Sequence, residues 1–214
     1  MGKKDVRKKK DKEPKNKPKS FEADSLPDIR ELSKCMEECQ TPKRYYHTLG
    51  VAFTAASLAM KYDYPIKNAQ IAGLLHDCAK CLPDDRQLEL CEKYNLQVSD
   101  VELRNPFLLH GKVGSLLAQA KYGISDEDIL NAITYHTTGR PGMSLLEKII
   151  FTADYIEPGR KEAPHLEKVR RLAFTDLDQA VVKILKDTLS YLAEGDGEID
   201  PMTNKTYEYY CKEE

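Results

Sequence analysis

From about residue 26 onward, apolar and polar positions recur along this chain with a helical period. The clearest run is Leu177, Ala180, Val181, Ile184, Leu185, Thr188, Leu189 and Leu192, which Gly195 stops. Spacing of three and four puts such residues on one stripe of a helix, so the run predicts a helix over 176–193. The same period, punctuated by proline and glycine, predicts further helices over 27–38 after Pro27, 43–62 after Pro42, 66–80 after Pro65, 84–95, 111–121 before Gly123, 126–136 and 145–156. Ser125 with Asp128, and Ser144 with Glu147, have capping-box spacing at the start of two of them. The two-residue alternation of a strand is nearly absent, and no internal repeat is present. The fold is expected to be all-α.

The first 25 residues break the pattern. They are Lys-rich, carry Pro14 and Pro18, and have almost nothing apolar to bury, so they are expected to be a disordered tail. The chain then divides into a domain over 26–205 and a short polar tail over 206–214. The net charge of −2 conceals this division: residues 1–20 hold ten Lys/Arg against three Asp/Glu, a balance of +7, which leaves 23 against 32, or −9, for the remainder. The tail reads as a solubilising segment or as a contact for an anionic partner. The acidic domain has no nucleic-acid footprint, and phosphate-ester chemistry on it would call for metal ions. No apolar run reaches the ~20 residues of a membrane span. No apolar segment follows the charged start as in a secretory signal, so a cytoplasmic location and reduced cysteines are expected. Cys78-Ala-Lys-Cys81 has CxxC spacing, but no second pair completes a zinc site.

The five histidines carry the chemical signal. His47 lies early in a helix, His76 and Asp77 adjoin at a helix end, His110 opens a helix, His136 closes one, and Asp154 ends another. Apolar Leu74-Leu75 runs directly into His76-Asp77, Ala132-Ile133 precedes His136, and Ile149-Ile150-Phe151 precedes Asp154. Polar groups are thus placed where burial is expected, which is unfavourable unless they are paired or bound to metal. Imidazole and carboxylate suit a first-row divalent ion, and residues on several helices can converge on one core site. Neighbouring helical positions point about 100° apart, but a carboxylate has two oxygens and can serve two ions.

The order His47, His76-Asp77, His110, His136, Asp154 resembles the HD-domain superfamily of metal-dependent phosphohydrolases. Longer motifs, Arg44-Tyr45-Tyr46-His47-Thr48-Leu49-Gly50-Val51, Ala72-Gly73-Leu74-Leu75-His76-Asp77-Cys78-Ala79-Lys80, His136-Thr137-Thr138-Gly139 and Ala153-Asp154-Tyr155-Ile156-Glu157-Pro158-Gly159-Arg160, resemble its YqeK branch over roughly residues 27–205. The resemblance implies an HD-type helical bundle with a buried dinuclear metal site. It implies symmetrical hydrolysis of diadenosine tetraphosphate to two ADP, by attack of hydroxide generated at the metals on an inner phosphate. ADP or GDP would then bind as product-like ligands. Two divalent ions are implied, iron by the family and manganese by ligand type. One would take His47, His76, Asp77 and Asp154; the other would take Asp77 as bridge, His110 and His136. Asp77 and Lys80 become the expected catalytic residues. His47, Lys80, His110, His136, Thr137, Thr138, Asp154 and Arg160 become the expected substrate contacts. Gly111 and Gly114 read as close helix packing, Glu157 as either a partner of a ligand histidine or a surface charge, and His165 as exposed. The same ligands would also serve an HD nucleotidase or phosphodiesterase with another nucleotide substrate, or a nucleotide-binding regulatory module. A dimer is compatible with the sequence.

Overall fold

The computed structural model describes residues 26–195 and 198–212. The expected disordered tail over 1–25 lies outside the described residues. The described residues form α-helices and one 3₁₀ turn, with no strand among them. Local signals account for the starts. Asp28 caps α1 (Ile29–Cys39) by accepting from Arg30 N and Glu31 N. Thr41 caps α2 (Pro42–Lys61), whose first position is the proline that the helix tolerates there.

The third helix, α3 (Ile66–Leu75), is the centre of the bundle. Ala69, Ile71, Ala72, Gly73, Leu74 and Leu75 are buried, so the helix lacks the single apolar stripe of a surface helix because it is covered nearly all round. It packs most extensively on α2. The small residues Ala52, Ala55, Ala56 and Ala59 of α2 are buried, which allows the close approach. A Cβ on Gly73 would lie 2.7 Å from the Ala52 Cα.

Helices α4 (Asp84–Lys93), α5 (Asp100–Arg104), the 3₁₀ turn Pro106–Leu109 and α6 (His110–Tyr122) follow. Ala79, Leu90, Cys91, Leu109 and Val113 form a small second cluster beneath them. Then α7 (Glu127–Tyr135) and α8 (Leu145–Ile156) pack on α3, and α10 (Leu177–Glu194) on α8. The Ser144–Glu147 capping box is formed. The cap of α7 is Asp126 instead of Ser125; its carboxylate accepts from Asp128 N and Ile129 N.

Three expectations change. The helix expected over 66–80 ends at Leu75, and residues 76–82 continue as tight turns in which Cys78 N donates to Leu75 O, Lys80 N to Asp77 O and Leu82 N to Ala79 O. Helix α9 (Leu166–Ala173) went unforeseen because it is short, follows Pro164, and buries only Val169 and Ala173. The third change is at the C-terminus: the segment expected to be a polar tail from 206 is, up to Lys212, part of α11 (Pro201–Lys212). That helix buries Thr203, Thr206 and Tyr210, and the Tyr210 hydroxyl accepts from Met143 N at 2.9 Å. Its inner face is made of residues with polar atoms, so no apolar stripe announced it.

Candidate metal centre

Five segments bring six side chains to one place. His47 comes from the second turn of α2, His76 and Asp77 from the turns after α3, His110 from the first position of α6, His136 from the residue after α7, and Asp154 from the end of α8. His76, His110, His136 and Asp77 are buried, while the Asp154 side chain is 22% exposed.

The tautomers follow from the acceptors. His76 Nδ1 is 2.7 Å from Gly73 O, His110 Nδ1 2.7 Å from Phe107 O, and His136 Nδ1 2.7 Å from Ile133 O. A carbonyl only accepts, so each Nδ1 carries the proton and each neutral ring turns a bare Nε2 inward. His47 Nδ1 faces Glu157 Oε1 at 3.1 Å, with the same consequence. The bare nitrogens then meet in pairs. His110 Nε2 lies 3.1 Å from His136 Nε2, and His47 Nε2 lies 3.3 Å from His76 Nε2. Asp77 stands between the pairs. Its Oδ1 is 3.5 Å from both His110 Nε2 and His136 Nε2. Its Oδ2 is 3.5 Å from His76 Nε2 and 3.8 Å from His47 Nε2. Asp154 Oδ1 is 3.1 Å from His47 Nε2.

Lone pairs directed at one another, around a buried carboxylate oxygen without a hydrogen-bond partner (Asp77 Oδ1), are what a cation would relieve. A proton does not suit the His110–His136 pair: burial, the His136 charge and Lys80 push His110 down to about 3. Burial would raise Asp77, but the His76 charge and hydrogen bonds from His136 and His76 hold it well below the carboxylate range. Asp154 is lowered in the same way, against burial, by His47, His76 and Arg160. Burial lowers His47, yet Asp154 and Glu157 outweigh it and raise its pKa overall. Donor atoms of His47, His76 and Asp154, and of His76, Asp77 and His136, all lie within 4.8 Å of one another. Two imidazole pairs on the two oxygens of one carboxylate fit two divalent ions.

The other expected residues divide. Lys80 Nζ is 3.8 Å from Asp77 Oδ1. Arg160 donates to Asp154 Oδ1 at 2.7 Å and to Asp154 O at 3.0 Å, so part of its guanidinium positions a carboxylate. Thr137 Oγ1 is 3.3 Å from His110 Nε2, whereas Thr138 turns away and donates to Gly139 O. Two residues were without an assigned role. Arg44 Nη1 meets Asp77 Oδ2 at 2.5 Å. Glu157 is buried and accepts from both His47 Nδ1 and Gly159 N. Its signal is Gly50: glycine inside a helix costs about 1 kcal/mol, and a Cβ there would lie 2.5 Å from Glu157 Oε2. Gly111 and Gly114 serve packing, against Thr134 O and Ile133 Cγ2. Cys78 is buried and donates to Gly114 O, and no cysteine joins a metal-binding group among the described residues. His165 is exposed, with Nδ1 3.0 Å from Asp187 Oδ1.

Residues 44–159 match the HD domain family. The chain is 42% identical over 179 residues to a symmetrical bis(5′-nucleosyl)-tetraphosphatase of Bacillus subtilis, across 84% of this chain and 95% of that one. It is 37% identical to a Staphylococcus aureus protein of the same name, across 85% and 94%. It is also similar to a crystal structure from Clostridium acetobutylicum described as a predicted HD superfamily hydrolase involved in NAD metabolism. The TM-score there is 0.85 and the identity 40%, covering 89% of this chain and all of that one.

Proposed function

The chain belongs to the HD domain family, and from that premise we propose that it is a metal-dependent hydrolase that splits diadenosine tetraphosphate symmetrically into two ADP. The observation that carries the metal dependence is the inward facing of four bare imidazole nitrogens around the two oxygens of Asp77. The substrate comes from the names of relatives that are 37–44% identical over most of the chain.

In this reading His47, His76, Asp77 and Asp154 hold one ion, and Asp77, His110 and His136 the other. Nitrogen and oxygen donors suit iron, which we favour, and also manganese. When bound, the ions would offset phosphate charge and lower the pKa of water. The chain's own residues do the rest. Arg44 and Arg160 orient Asp77 and Asp154 through charge-assisted hydrogen bonds. Lys80, with a third of its side chain exposed, can reach phosphate oxygens while remaining beside Asp77. Thr137 offers a hydroxyl beside His110. Water adds across the central P–O–P link: its oxygen ends on one ADP, the bridging oxygen stays on the other, and the protons pass to solvent.

No helix among the described residues is long and apolar enough to cross a membrane, and a cytoplasmic site of action belongs to the same reading. The test couples metal analysis to product identification across a panel of nucleotides. The expected result is about two metals per chain and ADP alone from diadenosine tetraphosphate. AMP plus ATP would overturn symmetrical cleavage, and turnover of a different nucleotide in its place would favour the broader nucleotidase reading.

A further inference from the structure

Beside the centre a hollow of about 590 Å³ opens between the loop that follows α8 and helix α9. Its volume is in the range of ordinary small-ligand sites. Arg160, Lys161, Lys168, Arg170 and Arg171 line it, against Glu167 as the acid among its lining residues. This charge is concentrated within a domain whose overall balance is −9, as derived above from the sequence.

The cations have different tasks. Arg170 donates to the carbonyls of Ile156, Glu157 and Arg160 and so fixes the loop. Arg160 reaches Asp154 and joins the hollow to the centre. Lys161, Lys168 and Arg171 are exposed, and no acidic side chain pairs with them among the described residues. Unneutralised like charges lined up from a metal centre outward form a focused positive potential. The opposite flank differs. There a hollow of about 230 Å³ reaches the centre at Thr137, and its Lys112 is already paired with Glu102, while Asp200 offsets Lys205. A phosphate chain is therefore gripped on the Arg160 side only.

We propose that this hollow binds the diphosphate of one nucleotide half of the substrate, with Lys161, Lys168 and Arg171 as the specificity-determining residues that fix which phosphorus lies at the centre. The inference rests on the functional reading above and deepens it. A chain gripped two phosphates from its end presents its middle link to the centre, which is what symmetrical cleavage needs.

The test uses the full-length, metal-loaded protein and the variants Lys161→Gln and Lys168→Gln/Arg171→Gln. All three side chains are exposed, so metal content and thermal stability should be unchanged and serve as folding controls. For the double variant the KM for diadenosine tetraphosphate should rise roughly tenfold, the value of losing one charge-assisted phosphate contact. Its KM should also depend less on salt than the wild type's. Unchanged KM and salt dependence, with ADP still formed, would refute the hollow's role and leave the functional reading intact. If wild-type protein makes no ADP from this substrate, the functional reading fails and takes this inference with it.

Discussion

Replacing Glu157 by glutamine tests how the site is held together. Glu157 lies outside the six proposed ligands. It is 3% exposed, and its Oε1 faces His47 Nδ1 at 3.1 Å. In Glu157→Gln the shape survives and an amide oxygen can still accept, but the charge is gone. A hydrogen bond to a charged group contributes about 1.5–3 kcal/mol and a neutral one about 0.5–1.5. The substitution should therefore weaken the orientation of His47 by about 1–2 kcal/mol, or roughly 5–30-fold in affinity. That lies in the range expected for partners of metal-ligating histidines. The loss should fall on one ion only, because Glu157 touches neither His110 nor His136. Chelator competition should release one of two metals roughly tenfold more readily in the variant, with the other released as in wild type. Equal retention of both metals, or equal weakening of both, would refute the reasoning.

Other outcomes follow from the same geometry. Asp77→Ala should remove both metals, since each oxygen of Asp77 faces one imidazole pair; full metal content in that variant would exclude a bridging role. Gly73→Ala would place a Cβ 2.7 Å from the Ala52 Cα, a backbone atom of the packed α2 helix. Overpacking of this kind costs about 1–3 kcal/mol, so the melting temperature should fall by several degrees, and because α3 ends at His76, metal content should fall with it. In metal-free protein, burial, His136 and Lys80 hold His110 down to about 3, while the same imidazole in the unfolded chain titrates near ~6.5. Between those values the unfolded chain binds more protons, so stability should drop as pH falls from about 6.5 toward 3. His110→Gln should flatten that part of the melting-temperature profile; an equally steep profile would exclude His110 as its source.

Much of this protein was legible without coordinates. The long helices follow from short-range facts: apolar spacing of three and four, proline at a first turn, Asp28, Thr41 and Ser144 as caps. The six ligand types could be named because each interrupts an apolar helical run. Residues whose role depends on a distant partner were less legible. Glu157 reads equally as surface charge until Gly50, 107 positions earlier in the chain, is seen to make room for it. Helix α11 buries threonine and tyrosine instead of an aliphatic stripe, so only its packing against Met143 identifies it as part of the domain. The paired imidazoles are likewise a tertiary product. Local carbonyls fix the proton on each Nδ1, but only the packing of α2, α3, α6 and α7 turns the four bare Nε2 atoms toward the two oxygens of Asp77. Sequence alone determined which residues could bind metal, because residue type and helical period are local properties. The fold decided which oxygen faces which pair, because that depends on contacts between residues far apart in the chain.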